Sequence, residues 1–282
     1  MKSVYQALAA VASFLIFCSV CIAKDLPVSE VRLYALDCGR LEISNLAPFA
    51  DTGEYDGHPG ELMASCFLIV HPKGILLWDT GLGDKYAVPS GGTKLPNYTA
   101  VVPKTVAAQL AELGLSYDDI NYFAFSHAHA DHVGNANELK KATWIVDSRE
   151  ADWWQGTPTP ERVNPALLTA YSSVTVKNIR GDYDVFGDGS VKMLWTPGHT
   201  PGHHSLMVTL KNSGVYILSG DLFHSYENRA HRRMPVFNVS RADTLASIDR
   251  IEAIAKNTGA KVVIQHSVES FQTLPKFPAY LD

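Results

Sequence analysis

Two β-sheets packed face to face with helices outside them, a mixed α/β fold of αββα type, is what the order of apolar runs in this chain predicts. Strand-like runs fill the first part, one amphipathic stretch interrupts them, and a second strand-rich half ends in another amphipathic stretch and a last short strand. The strand-like runs are short, rich in β-branched and aromatic residues, and bounded by Gly, Pro, Asp and Asn. A chain of 282 residues suits one such domain with a sizeable core.

Taken in order, residues 31–38 are rich in strand formers, and residues 65–70 and 75–78 flank His71-Pro72-Lys73-Gly74, which reads as a hairpin turn. Asp79-Thr80-Gly81 closes the second of these strands with turn residues. Residues 83–103 carry Gly, Pro, Ser, Asn and Tyr without sustained periodicity, so a long loop is expected there, either a lid over a site or an ordinary surface excursion. Residues 104–113 put Val106, Leu110 and Leu113 on one helical face, with Gly114 as a stop. Residues 121–125 read as a buried strand, 132–139 as the start of a helix, 143–146 as a strand and 149–154 as a short helix. Residues 156–173 hold three prolines and read as a second excursion. Strands are then expected at 174–179, 191–195, 204–210 and 215–218, with Gly187-Asp188-Gly189 as a turn. Ser240-Arg241-Ala242-Asp243 opens a helix in the manner of a capping box, Leu245, Ile248, Ile251 and Ile254 give it an apolar stripe for a sheet, and Gly259 ends it. Residues 261–265 form the last strand, with His266 at its end.

Residues 1–23 read as a secretory signal: Lys2 is the positive start, residues 7–20 the apolar run, and Cys21-Ile22-Ala23 a small-x-small cleavage site. The alternative is an uncleaved anchor, but the run is short for a span of about 20 residues. The folded unit is then 24–282, in a secreted or periplasmic protein with no membrane segment once the signal is removed. Loss of Lys2 leaves 23 basic against 29 acidic residues, a net charge of −6, and there is no basic block. That balance argues against nucleic-acid binding, which needs clustered Lys and Arg. Cys38 and Cys66 remain, and in an oxidising compartment a disulfide between them is expected, with two buried thiols as the alternative.

The chemistry is concentrated in His127-Ala128-His129-Ala130-Asp131-His132, one serine beyond the apolar strand end Tyr122-Phe123-Ala124-Phe125. Imidazole and carboxylate are the preferred ligands of zinc and its first-row neighbours, and four such groups exceed what one tetrahedral ion takes from a single turn. Three further polar residues stand at strand ends. His199 lies between two Pro-Gly turns in Thr196-Pro197-Gly198-His199-Thr200-Pro201-Gly202. Asp221 follows Tyr216-Ile217-Leu218 in Ser219-Gly220-Asp221, and His266 follows Val262-Val263-Ile264-Gln265.

This set, in this order, resembles the metallo-β-lactamase fold superfamily over essentially all of 24–282. The resemblance implies an αββα sandwich with metals at one edge of the sheets. It implies His127, His129 and His199 on a first metal, Asp131, His132 and His266 on a second, Asp221 bridging them, and Asp79 as the aspartate behind the ligands. Two divalent ions are thereby expected, zinc by default and cobalt, manganese or iron as alternatives. His203 and His204 are read as structural or as standing behind the ligands. Such a centre lowers the pKa of bound water towards about 7 and provides a shared hydroxide for attack on an ester.

Within the superfamily the chain looks most similar to N-acyl homoserine lactonases, on length, Asp79-Thr80-Gly81, the lid-like 83–103 and the segment around His199. The resemblance implies opening of lactone rings, a small-molecule substrate and a homodimer. It departs at His224, where lactonases carry a tyrosine that contacts the lactone and organophosphate hydrolases of this fold are more similar. Asp131 and His224 are accordingly the groups expected to return a proton and to orient substrate. Tyr86, Phe223 and Tyr226, with Trp153 and Trp154, are the expected acyl-pocket aromatics, core packing being the alternative for each. Hydrolysis of β-lactams, organophosphates or aryl esters on the same centre, RNA processing, and metal binding without catalysis are the competing functions.

Overall fold

The computed structural model describes residues 28–88 and 91–282, so the expected signal at 1–23 lies outside the described residues. One sheet has six strands in the order Arg32–Leu36, Cys66–His71, Gly74–Trp78, Tyr122–Ala124, Thr143–Asp147 and Val176–Ile179. A second has five, Tyr183–Asp184, Val191–Trp195, His204–Leu210, Gly214–Leu218 and Lys261–Val263.

The strand Cys66–His71 explains how the layers form. Its odd-numbered Phe67 and Ile69 join Leu76, Trp78, Leu206, Val208 and Leu218 between the two sheets. Its even-numbered Cys66, Leu68 and Val70 face outward onto Val106 and Leu110 of the helix Val106–Glu112. A strand buried on both faces must be apolar throughout, as this one nearly is. On the far side, Ile248 and Ile251 of the helix Arg241–Thr258 cover Leu194, Ile217 and Ile264. The four layers are those expected from the sequence. The long helix begins where Ser240 Oγ accepts the Asp243 N–H at 3.3 Å, and it ends on Gly259 in the left-handed region.

Strand register brings the polar strand ends together. Trp78 is paired in parallel with Ala124, so Asp79 and Ser126 leave the first sheet side by side. Leu218 is paired in parallel with Val263, so Asp221 and His266 leave the second sheet the same way. All four stand at one edge of the sandwich.

Two expectations need correction. Residues 83–103 are not a plain loop: they contain the turn Asp84–Tyr86 and the strands Thr93–Lys94 and Thr99–Val101, which join Arg40–Ile43 and Gly60–Met63 in a third, four-stranded sheet. Strands of two or three residues carry too little periodicity to be read locally, and Thr99–Val101 joins the sheet through Arg40–Ile43, distant in sequence. Residues 132–139 form only the short 3-10 turn Ala136–Glu138, because the backbone of this stretch is tied to another segment: Thr80 N–H donates to the His132 carbonyl at 2.7 Å and Gly134 N–H to the Gly81 carbonyl at 2.9 Å. Among the described residues no helix is long and apolar enough to cross a membrane.

Cys38 and Cys66 are disulfide-bonded across a separation of 28 residues, with Cα atoms 5.8 Å apart. Closing a loop of that length should stabilise the domain by about 3–4 kcal/mol through the unfolded chain. Replacing both cysteines by alanine is expected to lower the urea-unfolding free energy by that amount with an unchanged far-UV spectrum. An unchanged midpoint would show that the bond contributes nothing.

Candidate metal centre

His127, His129, His199 and Asp221 present ligand atoms within 4.8 Å of one another, as do Asp131, His132 and His266. The carboxylate of Asp221 stands between the two groups. Its Oδ2 lies 3.6 Å from His127 Nε2 and 3.2 Å from His199 Nε2, and His199 Nε2 lies 3.1 Å from His129 Nδ1. Its Oδ1 lies 3.0 Å from both His132 Nε2 and His266 Nε2, with Asp131 Oδ2 3.7 Å from His266 Nε2. His224 closes a third group with Asp221 and His266, its Nε2 3.1 Å from Asp221 Oδ2 and its ring stacked on that of His266.

The groups behind these atoms fix their aim. His132 Nδ1 lies 3.0 Å from Asp79 Oδ2, and Ser126 Oγ is 3.1 Å from the Nδ1 atoms of both His127 and His132. Asp79 is held in turn. It accepts from the Ser126 N–H at 2.6 Å and from Gln265 Nε2 at 2.8 Å, and it adopts a left-handed φ of 57° rare for aspartate. Gln265 also accepts from Trp78 Nε1 at 3.1 Å and the Gly220 N–H at 2.9 Å, so one amide ties both sheets to the aspartate. His203 accepts the Asp221 N–H at 2.9 Å through Nε2. This close approach requires glycine at 220, since a Cβ there would stand 2.6 Å from His203 Nε2. Glu150 joins the two ligand loops: its buried carboxylate accepts from the Ala128 N–H at 2.8 Å, the Thr200 hydroxyl at 2.7 Å and the Gly202 N–H at 3.0 Å. Burial pushes its carboxyl up to about 7 against the pull of those three donors.

Electrostatically the site is one anion in a cage of imidazoles. Burial opposes the charge on Asp221, yet His266, His132, His127 and His224 outweigh it and hold the carboxyl well below its usual range. Burial, followed by the neighbouring imidazoles, pushes His127 and His129 well below theirs, which leaves them neutral, as metal ligands must be. For His132, burial is outweighed by Asp221, Asp79 and Asp131, and the pKa rises.

The residues fit a pair of divalent ions. Ligand atoms bound at about 2.0–2.2 Å around one ion at roughly right or tetrahedral angles stand about 2.8–3.6 Å apart. The contacts from His127 Nε2 to His129 Nδ1 at 2.8 Å through His127 Nε2 to Asp221 Oδ2 at 3.6 Å span that range. Asp221 Oδ1 is buried without a hydrogen-bond donor of acceptable geometry, as a metal-facing oxygen would be.

The seven ligand-type residues and Asp79 expected from sequence therefore converge, and His224 joins them. The expected aromatics divide. Phe223 is wholly buried among Leu222, Ile248 and Ile251 on the far side of its strand end, and Tyr226 starts the exposed helix Tyr226–His231, so neither lines the centre. Trp154 is buried in the outer core, while the Trp153 ring stands 5.7 Å from His129. Tyr86 is half-buried in the third sheet's cluster beside Tyr98 and Phe237. With Trp153, two rings that the sequence did not single out border the imidazoles: Phe237, centred 5.7 Å from His199 and 6.0 Å from His129, and Phe49, 5.4 Å from His224. The signal that could have marked Gln265 is its polarity after the apolar run Val262-Val263-Ile264, whereas Glu150, among Ser148, Arg149 and Asp152, carries none.

The fold and this centre define a class: the chain belongs to the metallo-beta-lactamase superfamily, whose family model matches residues 59–266, and it is a hydrolytic enzyme. The similarity is narrower than the superfamily. The N-acyl homoserine lactonase AttM of Azorhizobium caulinodans is 31% identical over 270 residues, covering 90% of this chain and all of the relative. The N-acyl homoserine lactonase AiiA of Bacillus thuringiensis subsp. kurstaki is 28% identical over 234 residues, 79% of this chain and 90% of the relative. Among solved structures, an N-acyl homoserine lactone hydrolase with the product N-hexanoyl-L-homoserine bound at its catalytic metal centre superposes with a TM-score of 0.77 at 25% identity, over 90% of this chain and 100% of that one.

Gln265 contacts no ion in this arrangement but orients Asp79 and Gly220. Gln265→Leu is expected to weaken metal affinity by about 10–100-fold, the usual cost of losing a group behind a ligand, as measured by competition with a chromophoric chelator. Unchanged affinity would show that Asp79 needs no such support.

Proposed function

We propose that this enzyme opens the lactone ring of N-acyl homoserine lactones on a dinuclear centre. The observation that carries the reading is the division of Asp221, one oxygen toward His127 and His199 and the other toward His132 and His266. Full-length similarity to lactonases supports the substrate class. His127, His129 and His199 would hold one ion and Asp131, His132 and His266 the other, with Asp221 shared. When bound, such ions supply a shared hydroxide at neutral pH and a Lewis acid for the ester carbonyl.

The protein's own groups do the rest. Asp79, Ser126 and the Met63 carbonyl, 2.5 Å from His266 Nδ1, keep the imidazoles aimed. The Nε2 of His224 is buried without a hydrogen-bond partner and stands beside Asp221, where it can donate to the ring carbonyl oxygen as charge develops on it. Asp131 is the most exposed of the ligand-type residues, its side chain at 22%, and is suited to pass a proton to the departing ring oxygen. Water adds to the carbonyl carbon, the ring C–O bond breaks, and the products are a carboxylate and an alcohol. Export fits the same reading, supported by the signal-like composition of 1–23 and by the Cys38–Cys66 disulfide.

Parallel assays of the metal-replete protein on N-hexanoyl homoserine lactone, paraoxon and a chromogenic cephalosporin test the reading. Turnover of the lactone is expected, with His224→Phe lowering kcat by about 10²–10³, the cost of one oxyanion donor, at unchanged metal content. Hydrolysis of paraoxon with no lactone opening would replace the lactonase reading by a phosphotriesterase one.

A further inference from the structure

Arg162 lies in the proline-rich excursion at 156–173, yet its backbone is part of the ligand segment. Its carbonyl accepts the Ala130 N–H at 3.1 Å, and the next residue, Val163, is bridged to His129. Arg162 itself adopts a φ of 65°, a left-handed conformation that costs a non-glycine residue about 1 kcal/mol or more and persists where its surroundings enforce it. The side chain is equally fixed. The guanidinium carbon sits 3.5 Å above the centre of the Phe237 ring and 5.5 Å from that of Phe49. Those two rings border His129, His199 and His224.

A stacked guanidinium keeps its in-plane N–H donors free for a ligand. Here they have little else to do. Among the described residues the one carboxylate paired with Arg162 is Glu161, at 3.7 Å and 73% exposed, an arrangement that contributes little. The Arg162 side chain is 34% exposed, so the donors reach solvent one aromatic ring beyond the imidazoles. Burial, with Asp131 and Tyr86, pushes the Tyr98 phenol above its usual range, while Arg162 acts the other way. The mouth of the centre thus has an apolar floor, Phe237 and Phe49, and a fixed cationic donor at its rim.

An N-acyl homoserine lactone carries a second carbonyl, that of the exocyclic amide, a few ångströms from the ring ester. We propose that Arg162 is a specificity-determining residue that donates to this amide carbonyl, so that the site selects lactones bearing an acylamino group over lactones with a plain alkyl substituent. The inference rests on the lactonase reading above and deepens it. Arg162 touches no reacting atom, and its contribution is to affinity and orientation.

The test compares two substrates with the same ring, N-hexanoyl homoserine lactone and a γ-alkyl butyrolactone of similar length, on the metal-loaded full chain. In Arg162→Gln, the KM for the acylamino lactone is expected to rise by about 10–100-fold, the range for loss of a hydrogen bond to a charged donor, with kcat within about threefold. The alkyl lactone should change by less than about threefold in both constants. Arg162→Lys, which keeps the charge but not the planar fork, should give an intermediate KM for the acylamino lactone alone. Unchanged melting temperature and metal content in both variants separate this from misfolding. Equal losses on both lactones, or none on either, would overturn the role of Arg162 while leaving lactone opening intact. A wild-type protein that opens neither lactone would overturn the lactonase reading and the inference with it.

Discussion

The buried carboxylate of Asp221 is the group on which the rest of this structure depends. An isolated carboxylate taken out of water is unfavourable by many kcal/mol and would ordinarily take up a proton. Here it stays ionised because imidazoles approach both of its oxygens. Each of those imidazoles is more useful neutral, with a lone pair, than charged. The same anion pushes His132 and His266 toward their charged forms, a positive charge that a pair of bound cations would replace. Metal binding and the stability of the sheet edges are in this sense one problem.

The sandwich meets that problem by using both of its sheets. Parallel pairing aligns Asp79 with Ser126 on one sheet and Asp221 with His266 on the other. Gln265 and Glu150 then act as cross-members: the first joins Trp78, Gly220 and Asp79, the second joins the loop of Ala128 to that of Thr200 and Gly202. Buried polar networks of this kind are favourable only when each member finds a partner. The ligands therefore sit on rigid strand ends, while the mouth, built from Phe49, Phe237, Tyr98 and Arg162, draws on segments outside both main sheets.

That division also explains what could be read from the sequence. The ligand set was legible because metal ligands are few in kind and each followed an apolar run, so that His199, Asp221 and His266 could be matched to the hexapeptide at 127–132. The layer order was suggested by the two amphipathic stretches and made definite only by the family resemblance that the ligand residues carry. The third sheet was not, since Thr99–Val101 owes its form to pairing with Arg40–Ile43, far upstream, and Thr93–Lys94 is a two-residue edge strand on Thr99–Val101. Phe223 and Tyr226 drew attention by their nearness to Asp221 in sequence. The turn Gly220–Leu222 instead sends Phe223 under the long helix. Phe237 and Arg162 carry no periodic or motif signal, and only tertiary packing sets them over the imidazoles.

The central claim is that Asp221 spans two ions. A crystal structure of the metal-loaded protein, with anomalous scattering recorded at the metal edge, tests it most directly. The account predicts two anomalous peaks about 3.5–4 Å apart, each bound by a different oxygen of Asp221. A single peak, or two peaks with Asp221 on only one of them, would contradict it.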